Sequence, residues 1–341
     1  MAPDSVAVYG EVPSTGVLDR NSSMPTVSVV IPAYNSSPYI EDALDSVIAQ
    51  TFTDYEIIVV NDGSPDAEEL KEVLAPYREL IVYLEQENQG TAGARNTGIR
   101  AAQGRYIALL DPDDLWTPEY LREQIDILER DPTIDVLYPD AMMFGDGHRA
   151  GKRFMQVCPS EGEVTFQNLV ELRCQVYIGV TAKRDALLRA GLFDPDRSVI
   201  EDFDLWLRVL KTGGRIAYHP KVLAYYRERS DAQSADLIRM SERQVNALDK
   251  AVRTLDLSTS EREAAARTRA LFWATMQLNL AKRAFLCGDF TRALSHLNEA
   301  NAHFRRRKLT MAAYFMRLAP HLLLRVYNAR EKSLAGASAR C

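Results

Sequence analysis

Residues Gly104–Trp116 read GRYIALLDPDDLW, an apolar run that turns abruptly acidic. Tyr106–Leu110 has the length and composition of a short buried strand. Asp111, Asp113 and Asp114 crowd its carboxyl end, and Pro112 stiffens the turn between them. Carboxylates this close repel one another, and a divalent cation relieves that repulsion. Mg²⁺ and Mn²⁺ take hard oxygen ligands, and Mg²⁺ sites commonly combine one or two carboxylates with substrate phosphates. The carboxyl end of a parallel strand is also where open α/β sheets place their ligands. The competing reading is an acidic loop that caps a helix expected from Pro118, since Asp is a favoured N-cap.

Outward from this stretch the chain alternates strand and helix. Val27–Ile31 (VSVVI) and Glu56–Val60 (EIIVV) are continuous β-branched runs of the kind buried on both faces of a parallel sheet. Ile81–Glu85 predicts a third strand and Asp135–Tyr138 a fifth. Helices are predicted over Tyr39–Gln50, Ala67–Tyr77, Gly90–Gln103 and Pro118–Arg130. Such alternation predicts a doubly wound sheet with right-handed crossovers. Residues 140–165 carry little pattern. Arg215–Tyr218 and Val222–Tyr226 read as two closing strands, and helical periodicity takes over from Ala235.

Four segments, VSVVIPAYN (Val27–Asn35), EIIVVNDGS (Glu56–Ser64), NQGTAGARNTG (Asn88–Gly98) and GRYIALLDPDD (Gly104–Asp114), come in an order and spacing that resembles the family 2 glycosyltransferases. The resemblance runs from about Thr26 to Ser230. It implies a GT-A fold: an α/β domain over 25–231 with a doubly wound, mixed, mostly parallel sheet flanked by helices. A loose tail over 1–24 would precede it, and a C-terminal helical appendage over 232–341 would follow. The implied activity is inverting transfer of a sugar from a nucleotide-diphospho-sugar, a UDP-sugar by family habit, to an acceptor hydroxyl. The acceptor would be a saccharide or lipid-linked saccharide in bacterial cell-surface polysaccharide or glycoconjugate synthesis, and the cofactor Mn²⁺ or Mg²⁺.

The same resemblance assigns roles. Pro32, Tyr34 and Asp62 fall where the family holds the nucleoside. On the residues alone, Tyr34 offers a face for a base to stack on, and Asp62 an acceptor at its edge. Gly90 and Gly93 open a helix whose free amides suit a phosphate. Arg95 and Asn96 match the family's pair beside the diphosphate. Asp111 would face the ribose or the metal's water shell, and Asp113 would ligate the metal. Asp114 is left between a supporting role and a helix cap. In Glu201-Asp202-Phe203-Asp204, acids begin a helix whose dipole favours them. The family reading makes Asp202 the catalytic base and Glu201 its neighbour at the acceptor site. Where many relatives have Tyr-Arg-x-His, this chain has Tyr226-Arg227-Glu228-Arg229. Metal ligation from that position is therefore in doubt, and Arg227 and Arg229 become candidates for the diphosphate.

Other readings fare worse. A sugar-nucleotide pyrophosphorylase would carry a Gly-rich basic loop after the first strand, and a dehydrogenase would carry G-x-G-x-x-G. Ile31-Pro32-Ala33-Tyr34-Asn35 is neither. A processive membrane-embedded synthase would need apolar spans and Q-x-x-R-W, both absent. A catalytically degenerate nucleotide-sugar-binding or scaffold protein is the remaining alternative, weakened because both acidic sites are intact. The net charge of −6 gives no reason to expect nucleic acid as a partner. The four scattered cysteines form no zinc or redox spacing and suit a reducing cytosol. From Lys282 to Arg340, twelve Lys and Arg face three acids. With the apolar stretch Leu309–Tyr327, that balance predicts either helices packed on the appendage or peripheral contact, through residues 305–330, with the cytoplasmic face of the plasma membrane.

Overall fold

The computed structural model describes residues 24–229 and 236–328. Apart from Met24, the tail expected over 1–24 lies outside the described residues. So does the end of the basic region beyond 328.

One sheet of eight strands forms the centre. The strands are β1 (Val27–Ala33), β2 (Tyr55–Asp62), β3 (Ile81–Gln86), β4 (Tyr106–Leu109), β5 (Leu115–Trp116), β6 (Val136–Gly145), β7 (Thr181–Lys183) and β8 (Ile216–Glu228). Their order is β3-β2-β1-β4-β7-β6-β8-β5. β3, β2, β1 and β4 run parallel, which is the doubly wound half. β7 is antiparallel to both of its neighbours, and β8 returns parallel to β6, which makes the sheet mixed. Every residue of β1 is buried, as its unbroken apolar run requires when helices cover both faces.

The crossover helices are α1 (Ile40–Ile48), α2 (Ala67–Leu74), α3 (Gly90–Ala101) and α4 (Tyr120–Arg130). α3 lies hard against the sheet. A Cβ on Gly98 would sit 2.4 Å from Val30 Cγ1, so the helix can approach β1 this closely only with glycine there.

The two expected closing strands are one. β8 runs unbroken from Ile216 to Glu228 and absorbs Pro220 at a break in register, where Pro139 faces His219 but Asp140 faces Val222. A proline cannot donate to the ladder, and a bulge accommodates it without ending the strand. β6 also runs well past Tyr138, into the stretch that sequence left unassigned.

Short helices α5 (Phe154–Val157), α6 (Phe166–Val170) and α7 (Arg184–Arg189) lead to α8 (Glu201–Lys211). The C-terminal region comprises α9 (Leu237–Thr254), α10 (Thr259–Leu286), α11 (Phe290–Phe304) and α12 (Arg307–Leu318), then a helical segment over 320–328. The sheet's core continues into this region: Val245, Leu248, Ala264 and Phe272 belong to the same apolar cluster as β1 and β2. A second cluster, around Ala281, Phe285, Leu297 and Met316, takes in only the last third of α10, from Leu278 on.

Candidate active site

The parallel strands β1, β2 and β4 end at one rim, and a cleft of about 480 Å³ opens there. Tyr34 follows β1 and is 51% exposed at the mouth, so its ring is not packed on the sheet. Asp62 ends β2 and is buried. Its Oδ1 accepts from Gln86 Nε2 at 2.7 Å and from the Gln89 amide at 2.8 Å, which pins the entrance of α3 to the strand end. Gly63 must follow. Its φ is +62°, and a Cβ there would lie 2.8 Å from the Asn88 nitrogen. Pro32, Tyr34 and Asp62 all line the cleft.

Arg95, on the first half of α3, is buried beneath the floor. Nη2 donates to Asp111 Oδ1 at 2.6 Å, and Nη1 reaches Glu201 Oε1 at 3.4 Å. Burial works against its charge, but Asp111 and Glu201 outweigh that and hold the guanidinium's pKa above its ordinary value. Asn96 points elsewhere and is not among the lining residues. Its side-chain amide donates to the Phe193 carbonyl at 2.8 Å and accepts from the Phe193 amide at 2.9 Å. That pair anchors the loop before α8 to α3. The chemistry of Asn, one donor and one acceptor on a short arm, suits this backbone clamp.

The acidic turn meets Arg95 through Asp111. Asp113 is pushed above the usual carboxylate range by burial and then by the charge of Asp111, partly offset by Arg229 and Arg227. Asp114 is pushed further, by burial and by both neighbouring acids. Asp114 Oδ1 accepts from the Arg227 amide at 2.7 Å and so ties the turn to β8. It does not cap α4, whose N-cap, Glu119, makes no side-chain cap bond. Arg227 Nε donates to the Asp113 carbonyl at 2.8 Å, and its guanidinium lies over the rings of Tyr39 and Phe144. Arg229 Nη1 pairs with Asp113 Oδ2 at 3.2 Å. Both arginines border the cleft and contact the acidic turn.

The donor set suits a divalent ion. Asp113 and Asp111 bring hard oxygens to a half-buried place where their charges oppose each other, and Asp113 already holds a cationic partner there. Among the described residues no three His, Cys, Asp or Glu side chains gather into a metal cage. One or two carboxylates completed by substrate phosphates is the remaining arrangement, and it is the one Mg²⁺ favours.

The start of α8 lines the same cleft. Asp202 is half-buried and its carboxyl is raised to about 6, by desolvation first and the Glu201 charge second, with Arg95 pulling the other way. Its Oδ1 accepts from the Phe203 amide at 2.7 Å. Asp202 also borders a smaller, mainly apolar pocket of about 220 Å³, walled by Phe154, Tyr177 and Phe203 and, from the C-terminal helices, by Met240 and Phe272.

Sequence reasoning missed Arg243. From α9 it donates through Nη2 to Glu201 Oε2 at 2.6 Å and through Nε to the Val199 carbonyl at 2.9 Å. Arg239, one turn earlier, lines the cleft. The only signal was two arginines four apart on an amphipathic helix, a pattern that solvated faces show just as often.

The sequence profile of glycosyl transferase family 2 matches residues 28–170, and that of glycosyl transferase family group 2 matches residues 106–327, more than half of the chain. An uncharacterised glycosyltransferase of Rickettsia typhi is 33% identical over 197 residues, 57% of this chain and 61% of that one, so the match spans less than two thirds of that relative. TuaG of Bacillus subtilis, provisionally assigned to teichuronic acid biosynthesis, is 32% identical over 60% of this chain and 79% of its own length. The fold is similar to that of S. aureus TarS (residues 1–349) in complex with UDP-GlcNAc, with a TM-score of 0.59 and 18% identity over 90% of this chain and 92% of that one. The two profile matches together run from residue 28 to 327 and show the family: the chain belongs to glycosyl transferase family 2.

Proposed function

We propose that this glycosyltransferase moves a sugar from a nucleotide-diphospho-sugar to an acceptor hydroxyl with inversion at the anomeric carbon. A UDP-sugar is the first donor to try. The acceptor is a saccharide or lipid-linked saccharide of a cell-surface polysaccharide, the setting that TuaG suggests. One observation carries the reading: Asp113 and Asp202 line the same cleft, and Arg95 bridges their two neighbours, Asp111 and Glu201.

The acids divide the work. Asp202, raised toward neutrality, accepts the proton of the acceptor hydroxyl as its oxygen bonds to the anomeric carbon. The bond from that carbon to the diphosphate breaks, and the nucleoside diphosphate leaves on the opposite side. Base and leaving group on opposite faces mean in-line displacement. Arg95 keeps Glu201 and Asp111 in register, so the two halves of the site hold a fixed separation. Tyr34 and Asp62 hold the nucleoside, and Arg227 and Arg229 frame the diphosphate. Asp113, with Asp111 beside it, would hold Mn²⁺ or Mg²⁺, which when bound supplies positive charge where the departing diphosphate gains negative charge.

The test is release of nucleoside diphosphate from a panel of nucleotide-sugars with Mn²⁺ or Mg²⁺, with and without simple glycoside acceptors. Release from one or a few donors, lost in Asp202→Asn, supports the reading. Binding of nucleotide-sugars with no turnover by any acceptor or water would favour a degenerate binding protein.

A further inference from the structure

The chain's last described helices bury one face and leave an apolar one open. Ala313 and Met316 of α12 pack into the second apolar cluster, joined by Leu323, Leu324 and Tyr327 of the 320–328 segment. On the other side Met311, Tyr314, Phe315, Leu318, Leu322 and Val326 are 48–63% exposed. The spacing 311, 314, 315, 318 places the first four on one stripe of α12, and 322 and 326 form one stripe of the next segment. Six large apolar side chains exposed within sixteen residues are a concentration, unlike the single scattered ones of an ordinary surface.

The charge around this patch has one sign. Arg305, Arg306, Arg307, Lys308, Arg317 and Arg325 are all exposed, and no acid occurs between Glu299 and Glu331. Among the described residues none of the six makes an ion pair, whereas arginines elsewhere in the fold do so repeatedly. No described helix is long and apolar enough to cross a membrane.

We propose that this face of α12 and 320–328 docks on an anionic lipid surface, lying in the interface with its apolar side chains among the acyl chains and its cations at the headgroups. The combination selects this occupant. An apolar stripe flanked only by cations is what interfacial helices present, and Tyr314 has the amphipathic ring found at headgroup level. A second copy of the chain would bring the same cations face to face, a like-charge juxtaposition that opposes pairing. The proposal is independent of the catalytic reading, because none of these residues lines the cleft.

Vesicle co-sedimentation of the full chain tests it. Binding is expected to vesicles of phosphatidylcholine with a quarter phosphatidylglycerol, to be much weaker to phosphatidylcholine alone, and to fall in 0.5 M NaCl. Arg306→Glu and Arg307→Glu should each lower partitioning by at least the roughly fivefold that one juxtamembrane cation contributes. Phe315→Ser with Leu318→Ser should abolish it. Circular dichroism and release of nucleoside diphosphate serve as controls for the fold, which these exposed positions should leave intact. No sedimentation with anionic vesicles, or equal sedimentation with both compositions, overturns the proposal. So does a dimer in light scattering that Leu318→Ser converts to monomer, since a second copy would then own the face.

Discussion

Arg243 Nη2 meets Glu201 Oε2 at 2.6 Å, and the contact joins a helix of the C-terminal region to the acid beside the proposed base. Glu201 thus stands between two arginines, Arg95 from α3 and Arg243 from α9. Asn246 adds a bond to the Ser198 carbonyl at 3.0 Å, and Lys250 pairs with Asp204 at 2.7 Å and with Asp194. The start of α8 is therefore held by α9 along most of its approach. Removing Arg243 leaves the charge of Glu201 less neutralised beside Asp202, which favours the protonated base. Arg243→Ala is expected to move the acid limb of the pH profile of kcat/KM upward and to lower kcat, with Arg243→Lys recovering part of both. Loss of the half-buried pair should also cost about 1–3 kcal/mol of stability. An unchanged pH profile in a folded Arg243→Ala protein would reduce Arg243 to a structural tie.

Asp202 makes activity and stability move in opposite directions. As a base it must be ionised, so kcat/KM should fall with unit slope as the pH drops through about 6. The sign for stability is reversed. The folded state holds the Asp202 proton more tightly than the unfolded chain, whose carboxyl titrates at 3.8. Ionising it therefore destabilises the fold, beginning as pH rises through 3.8 and complete above about 6. Asp202→Asn removes that penalty. It should abolish transfer, keep nucleotide binding, and melt higher than the parent at pH 8 but not near pH 4. A variant that transfers sugar at the parent's rate would remove Asp202 from the role.

Asp113→Ala should separate metal from nucleotide. The parent is expected to bind a nucleoside diphosphate more tightly with Mn²⁺ than with chelator, and the variant to bind it weakly and equally in both. Calorimetric titration measures this directly. Equal affinity of the parent with and without metal would leave the diphosphate to the arginines of the cleft, Arg227 and Arg229 first, and would withdraw the metal from the reading.

What could be read from the sequence follows from how local each signal is. β1, β2 and β4 are runs of β-branched and apolar residues, and their burial on both faces needs no partner to be named. The acidic turn and the start of α8 are equally local, because charge density in a short stretch is visible without a fold. β8 misled because Pro220 reads as a strand end, whereas a break in register against β6 carries the strand through. Asn96 resembled a ligand residue in its motif, yet both of its polar atoms are used on Phe193, ninety-seven positions away. Arg243 was invisible for the same reason: its meaning depends on where α9 packs. The second pocket beside Asp202 shares this origin, since Phe154, Phe203 and Phe272 come from separate helices that only the tertiary structure assembles.

Gly104, two residues before β4, offers a test of how tightly the sheet is closed there. A Cβ at this position would lie 2.6 Å from the Ser28 nitrogen and 2.7 Å from the Val27 carbonyl carbon. Those are backbone atoms of β1, so a rotating side chain cannot relieve the clash. The Gly104 amide also donates to Ser28 Oγ at 2.8 Å, and Ser28 Oγ donates in turn to Glu56 Oε1 at 2.6 Å. Moving the turn would therefore disturb the entries of β1, β2 and β4 together. Gly104→Ala is expected to lose about 1–3 kcal/mol in chemical denaturation, the range for overpacking a closed site. Because β4 leads directly to Asp111 and Asp113, nucleotide binding should weaken along with stability. A Gly104→Ala protein as stable as the parent would mean that the β1–β4 edge can open at this end, and the fixed spacing on which the acidic turn relies would have to come from β8 through Asp114 and Arg227 instead.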